Sequence, residues 1–538
     1  MKKNFVFVFF ILFLMVFVYP INEFNIRDVN LYETKMESAI KHGNVRYLSL
    51  KEAVEMGIKN NLDIKIEEYQ PLLKVKELEN YLGSYDPTLS IEVNKNRAER
   101  PITDLVNRAI LHLDTVKNVR YNFNTTLSGN IKTGGNYSFS LINSRNSANT
   151  NAFNPTYNGQ FKIDFNQPLW KNFRIDSIRK NIYITRIDKK ISKLDLEQKI
   201  SEIIYNIESA YWDLYNAIER QKVEITSREV VFKQLKDNIK RVEAGVKPPM
   251  IIDQTKSELS AADQQVISAE NQVISAENTL KNLILSREKD TMWNLFIIPS
   301  DSPQIPDEEF PSFIKLYENA VKNRPEVKSL NLNLEKSDVE IKFAKNQTKP
   351  SLDFIFSVAS NGVAGPNIKT PIYDENHNII GFEDNEFTGR IGTAYREVFN
   401  FDYIDYLVGV KFTFTFGNRS AKASLAISKI NRDSLRMQLR KLLQSIRVEI
   451  ENNLELINVN KKSLKAAISA VKYRKIELKN QKKRFSVGLA TNFDVLQAER
   501  DLKKALSDKI SAEVSLRKAY DSLYKAIFEN VKKYNIKF

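Results

Sequence analysis

Glycine and proline are both missing from residue 169 to residue 244, and again from 418 to 487. Each run suits one unbroken helix, because about 70 residues at 1.5 Å each extend roughly 100 Å, several times an ordinary globular helix. A short breaker follows each run, Gly245-Val246-Lys247-Pro248-Pro249 in the first case and Gly488-Leu489-Ala490-Thr491 in the second. Two more runs free of both residues then extend from Met250 to Ile298 and from Asn492 to Phe538. Long helix, tight turn and long helix make an antiparallel αα-hairpin, and it occurs twice. In the second, Leu435, Leu439, Leu442, Ile446, Ile450, Leu454 and Ile457 cover 22 residues in six steps, about 3.7 per step. That period is nearer a straight helical stripe than the 3.5 of a left-handed coiled coil. A rod-like coiled coil is the other reading of the same pattern.

The hairpins belong to a larger duplication. Lys59-Asn60-Asn61-Leu62-Asp63-Ile64, followed by Asp86-Pro87-Thr88-Leu89, recurs as Lys322-Asn323-Arg324-Pro325-Glu326-Val327, followed by Lys349-Pro350-Ser351-Leu352. Both blocks are displaced by 263, since 322 − 59 and 350 − 87 agree. A repeat on this scale signals an architectural unit used twice.

Segments of period two lie between the helices. Leu89, Ile91 and Val93 alternate with polar residues, and Leu352, Phe354, Phe356 and Val358 mark the matching place in the second copy. Just before the long helices, Phe161, Ile163 and Phe165, and then Phe412, Phe414 and Phe416, alternate in the same way. One face is apolar and the other polar, which suits either a sandwich or a membrane barrel with strands of about 9 to 11 residues. The strand-to-strand segment from Asn94 to Gln160 holds further alternation, Tyr121 to Thr125 and Tyr137 to Leu141, around Gly134-Gly135. It therefore either adds a hairpin or extends the strands. The corresponding segment from Ala359 to Tyr406 is polar and contains glycine, as a mobile surface loop does.

At the N-terminus, Lys2 and Lys3 precede an uncharged apolar run from Phe5 to Val18, the order of a secretory signal. An uncleaved anchor is the alternative. No later stretch approaches the ~20 apolar residues of a spanning helix. The expected divisions are a signal at 1–20, an N-terminal segment at 21–47, a first repeat at 48–286, a linker at 287–311, a second repeat at 312–529 and a tail at 530–538. The net charge of +15 invites nucleic acid, but lysines alternate with acidic residues along the helices, as on solvated faces. No nucleic-acid partner is expected. The chain has no cysteine, and His42, His112 and His377 stand apart without metal-ligand spacing. No nucleotide-binding or nucleophile motif appears, so no enzyme activity, cofactor or metal is expected.

Laid out this way, the chain resembles the TolC-like outer-membrane efflux proteins over nearly its whole secreted length. The resemblance rests on Leu48-Ser49-Leu50-Lys51-Glu52-Ala53 before Asn60-Asn61-Leu62-Asp63, on Pro87 and Pro350 before the strands, and on Phe165-Asn166-Gln167-Pro168-Leu169. Its most specific part runs from Phe485-Ser486-Val487-Gly488 through Asp494 to Gln497-Ala498, with a weaker relative from Val242 to Gln254. It implies a mixed α and β fold in which duplicated αα-hairpins form a periplasmic helical barrel and four strands per protomer join a trimeric outer-membrane β-barrel. The family likeness further implies a passive channel of a tripartite efflux or type I secretion system. Its partners would be outer-membrane lipid, a periplasmic adaptor and an inner-membrane transporter. A secreted or membrane-anchored coiled-coil scaffold without channel activity is the competing reading.

The hairpin turns, with Gly245, Val246, Pro248, Gly488, Leu489 and Thr491, would meet the adaptor. Both glycines also suit simple helix C-caps. Paired aspartates ring the family's aperture. Here Asp494 matches the first and Gln497 replaces the second, while Asp494 equally suits the first turn of a helix.

Overall fold

The computed structural model describes residues 34–103, 114–150, 154–286, 291–304, 310–375 and 377–535. The expected signal segment and His112 lie outside them. Contacts divide the chain into two units that cut across the sequence repeats. One holds residues up to 61, 203–309 and 453–522, and the other holds 62–202, 310–452 and 523–538.

The first unit begins with helix α1 (Lys35–Lys41) and strand β1 (Val45–Leu48). Helix α2 (Leu50–Asn60) follows, and a capping box starts it: the Ser49 hydroxyl accepts from the Glu52 N–H while Glu52 accepts from the Ser49 N–H. Two Ser49 bonds, backbone first and hydroxyl second, hold the Glu52 carboxyl below its ordinary pKa. The rest of the unit comes from the long helices α4 (Ser177–Glu243), α5 (Met250–Ile284), α9 (Arg419–Ser486) and α10 (Asn492–Ala526). The α5 run ends at Ile284 rather than Ile298, because Phe296–Pro299 form strand β6, which pairs in parallel with β1. Part of the expected linker is thus structural. Pairing of β6 with β1 consumes backbone groups that a longer helix would have used.

A polar network crosses this unit's core. The Tyr211 hydroxyl donates to the Leu48 carbonyl at 2.9 Å and accepts from the Asp301 N–H at 3.1 Å, and burial pushes its pKa up to about 12. The neighbouring Trp212 indole donates to Asp521 at 3.0 Å, and Arg517 holds the other Asp521 oxygen at 3.1 Å. On α9, the stripe read from the sequence is the inward one, with Ile446 and Ile450 fully buried in the second unit and Ile457 buried in the first.

The second unit contains helices α3 (Leu62–Leu82), α6 (Phe313–Asn323) and α7 (Pro325–Gln347), and an antiparallel sheet. Its strands are β2 (Thr88–Pro101), β3 (Thr115–Asn130), β4 (Asn136–Ala148), β5 (Thr156–Pro168), β7 (Ser351–Ala364) and β10 (Tyr403–Thr413). Their order is β10-β7-β5-β4-β3-β2. This corrects the expectation of four strands. The segment after Asn94 extends β2 and adds β3 and β4 as a full hairpin. Its turn is fastened to the start of α4, where Arg179 donates to the carbonyls of Thr133 and Asn172.

The loop expected from Ala359 to Tyr406 is also largely ordered. Strand β7 continues to Ala364, a small β8 (Thr370–Tyr373) and β9 (Ile379–Glu383) hairpin follows, and helix α8 (Ile391–Asn400) packs on β5 and β7. The end of the chain carries a short helix α11 (Asn530–Lys533).

The duplication survives as a shared kink. Asn61, after α2, has φ −60° and ψ 127°, and its N–H bonds to the Gly57 carbonyl. Arg324, after α6, has φ −59° and ψ 125°, and its N–H bonds to Ala320. Both pairs differ by 263. At the hairpin turns, however, 488 − 245 is 243, so the copies lose register within the strand region, where the first copy holds the β3–β4 hairpin and the second holds β8, β9 and α8.

Candidate functional site

Cross-strand pairing sorts the sheet into two faces without a register shift. One face carries Leu89, Ile91 and Val93 of β2, Phe123 and Leu127 of β3, and Phe139 and Leu141 of β4. It continues through Phe161, Ile163 and Phe165 of β5, Leu352, Phe354, Phe356 and Val358 of β7, and Val408, Val410 and Phe412 of β10. The other face carries Glu92, Asn94, Asn122, Thr126, Ser140, Gln160, Lys162, Asp164, Asp353, Asn361, Asp405 and Lys411. Hydrogen bonds run across this polar face. Gln160 donates to Asn361 at 2.7 Å, and Asn361 donates to Asp405 at 2.7 Å, linking three strands. Apolar outside and polar inside is the alternation of a membrane barrel around water.

Ten of the twelve strand residues expected on the apolar face lie there. Phe414 and Phe416 do not, because β10 ends at Thr413, whose partner Ser351 is the first residue of β7. Pro350, next on that side, offers no N–H to continue the ladder. The two rings instead meet edge to face at 5.2 Å. Nearby, Trp170 packs edge to face on Phe412, an aromatic cluster at the end of the apolar band.

The two hairpin turns close in the same way. The Val246 N–H bonds to the Arg241 carbonyl at 2.8 Å and the Gly245 N–H to Val242 at 2.9 Å; in the second turn Leu489 bonds to Arg484 at 2.8 Å and Gly488 to Phe485 at 3.2 Å. These are Schellman closures, with Gly245 at φ 70° and Gly488 at φ 77°, where a side chain would be strained. The turns are neighbours: Lys247 and Arg241 both lie over the Phe485 ring. Val246, Pro248, Leu489 and Thr491 are exposed, and so are Val487 and Phe493. The turns thus present apolar side chains ringed by cations. Sequence reasoning found the glycines but not the Phe485 contacts, which join residues far apart in the chain.

Asp494 stands in a capping box at the start of α10. Its carboxylate accepts from the Thr491 hydroxyl and N–H, both at 2.7 Å, and those bonds, hydroxyl first, hold its pKa below the ordinary value. One turn on, Gln497 donates to Asp501 at 2.9 Å and accepts from Arg500 at 3.0 Å. Both residues are exposed on the same stretch of helix.

No curated protein matches the chain in sequence. Solved structures do resemble it. The Campylobacter jejuni CmeC outer membrane channel superposes with a TM-score of 0.63 at 16% identity, over 90% of this chain and 89% of that one. The open-state Neisseria gonorrhoeae MtrE outer membrane channel gives 0.60 at 15% identity, over 89% and 88%. The outer membrane protein VceC from Vibrio cholerae gives 0.58 at 12%, over 89% and 95%. The family model described as outer membrane efflux protein matches residues 135–284 and 316–527, which cover both hairpins and strands of both repeats. The chain belongs to the outer membrane efflux protein family.

Proposed function

We propose that the chain assembles as a homotrimer in which the sheets close one barrel across the outer membrane and the long helices line a periplasmic conduit. It acts as the outer-membrane channel of a tripartite efflux system, and its helical part lies in the periplasm. The observation that carries this reading is that six strands, paired in one continuous register, share a band of apolar side chains on one face and a mostly polar opposite face. A single open sheet in lipid would leave the edges of β2 and β10 unpaired, at a cost of several kcal/mol per backbone group.

Transport through such a conduit is passive, and an inner-membrane transporter coupled through a periplasmic adaptor supplies the energy. The exposed Val246, Val487 and Leu489, set among Arg241, Lys247 and Arg484, suit an adaptor surface with apolar contacts and acidic groups. Asp494 and Gln497 are the proposed aperture residues. One carboxylate per copy places three around the axis, which favours cations.

Membrane fractionation with chemical crosslinking tests the assembly. The expected result is a trimer retained in outer membranes after salt washing and conducting in planar bilayers. A monomer released by salt would refute the channel and support a scaffold.

A further inference from the structure

The exposed edges of the sheet define how one copy must meet the next. Strand β2 pairs only with β3 and β10 only with β7 among the described residues, and both are exposed along nearly their whole length. The sheet cannot close on itself. Even eight strands leave an interior just filled by side chains, and the polar face here carries Lys162, Arg120 and Lys411. Strict alternation along the six strands makes β2 and β10 run in opposite directions, so β10 of one copy meets β2 of another as an antiparallel pair.

The register of that junction can be read from the sheet's slant. One row of cross-strand partners runs Thr88, Ser128, Ser138, Asp164, Ser357 and Leu407. It therefore climbs toward the far end of the strands as it crosses from β2 to β10. The next step lands on β2 of the neighbour, at a residue that must lie on the same polar face. A climb of six residues per copy sets Leu407 opposite Asn94 and tilts the strands by about 35°, a climb of eight gives about 43°, and a climb of four about 25°. Only the first two fall in the range of known barrels.

Side chains separate those two. The six-residue climb sets Leu89 opposite Phe412, Ile91 opposite Val410 and Val93 opposite Val408, all apolar. It also sets Thr88 opposite Thr413, so both strands end flush where they join their helical connections. The eight-residue climb sets Lys95 opposite Val408, where the six-residue climb gives it the Tyr406 ring, and it carries Thr413 two residues past the start of β2 to Ser90.

We propose that copies join through β10 and β2 in this register, with Ile91 facing Val410 of the next copy, so that every copy contributes all six strands. Resting on the trimer reading, this gives a barrel of eighteen strands, three times the six of one sheet. Its diameter is about 34 Å, against about 22 Å for twelve strands at the same tilt. The β3–β4 hairpin is then wall. Its residues alternate in step with the other strands, and Arg179 fastens its turn to α4.

The chain has no cysteine, so paired substitutions report without background. The full-length protein carrying Ile91→Cys and Val410→Cys is oxidised in outer membranes or treated with a short thiol-to-thiol linker, since facing Cβ atoms lie about 4.5–5.5 Å apart. The expected result is a covalent dimer and trimer, absent from both single variants and from the two-residue slip, Val93→Cys with Val410→Cys. Leu89→Cys with Phe412→Cys gives the same readout should the first pair fail to assemble. Linking of the slipped pair instead, or no linking in a chain that an amine crosslinker shows to be trimeric, overturns the proposal. So does an image of the purified trimer with twelve strands. Absence of any trimer is a different result, and it overturns the parent reading.

Discussion

Removing the Arg324 guanidinium should cost the second unit about 2–3 kcal/mol. The side chain is 12% exposed; it bonds Glu326 at 3.1 Å and Glu449 at 2.6 Å, and it reaches the Ala526 carbonyl at the end of α10. Burial opposes its charge, but the carboxylates, Glu326 first, outweigh that and hold its pKa above the ordinary guanidinium value. Stranding a buried ion-pair partner costs about 3–5 kcal/mol. Glu449 is 39% exposed, so water screens its share and the lower figure follows. Arg324→Met is the perturbation, and guanidinium unfolding in detergent, followed by circular dichroism at constant slope, is the assay. The triple variant Arg324→Met, Glu326→Gln, Glu449→Gln removes the stranded charges and should return to within about 1 kcal/mol of the native protein. A single variant that loses under about 1 kcal/mol, or a triple variant no better than the single, would refute the reasoning.

Asp494→Asn is expected to reduce cation block or conductance in planar bilayers, and unchanged values would remove it from the aperture. Because its folded pKa is lowered, its contribution to the α10 cap is present above the ordinary aspartate pKa and lost as pH falls through the folded value; tip proteolysis should rise in that acid window. Burial, with Glu67 adding to it, raises the pKa of Asp195, and burial raises that of Glu197 against Lys328. Their ionisation therefore destabilises the fold above that window, so Asp195→Asn should stabilise at pH 7 and make no difference near pH 3, as thermal unfolding at the two pH values would show. Leu489→Asp should abolish export while leaving outer-membrane assembly intact, and normal export would take the turn out of the docking surface. Gly362→Val would drive a methyl into the Ala394 carbonyl and lift α8, at about 1–3 kcal/mol; new trypsin cleavage at Arg390 or Arg396 in whole cells checks it.

The helices were legible to within a few residues wherever a breaker ended them, as at Gly245 and Gly488. Where pairing ended them instead, as at Ile284 before β6, no local signal existed. Alternation located all six strands, including Tyr121 to Thr125 and Tyr137 to Leu141, but their number was taken from a family likeness and fell short by two. Helix α8 went unread because it is one element among polar loop residues. Only the sheet beneath it, with Gly159 and Gly362 paired side by side, makes room for Ala394 and Val398. At Asp494, the first turn of a helix was visible in the sequence but the capping box with Thr491 was not read, and that box says what the carboxylate does in one copy without saying what it does around an axis.

The seat of α8 decides which face of the sheet stays open. Gly159, Ser360 and Gly362, which receive the helix, belong to the same face as Phe161, Val358 and Phe356, so α8 packs on the apolar side of the sheet. Phe399 on the helix and Phe401 at its C-terminal end are exposed. The helix in the longest connection between strands of the second repeat is thereby set on the apolar face, and it leaves the polar face of β5 and β7 clear.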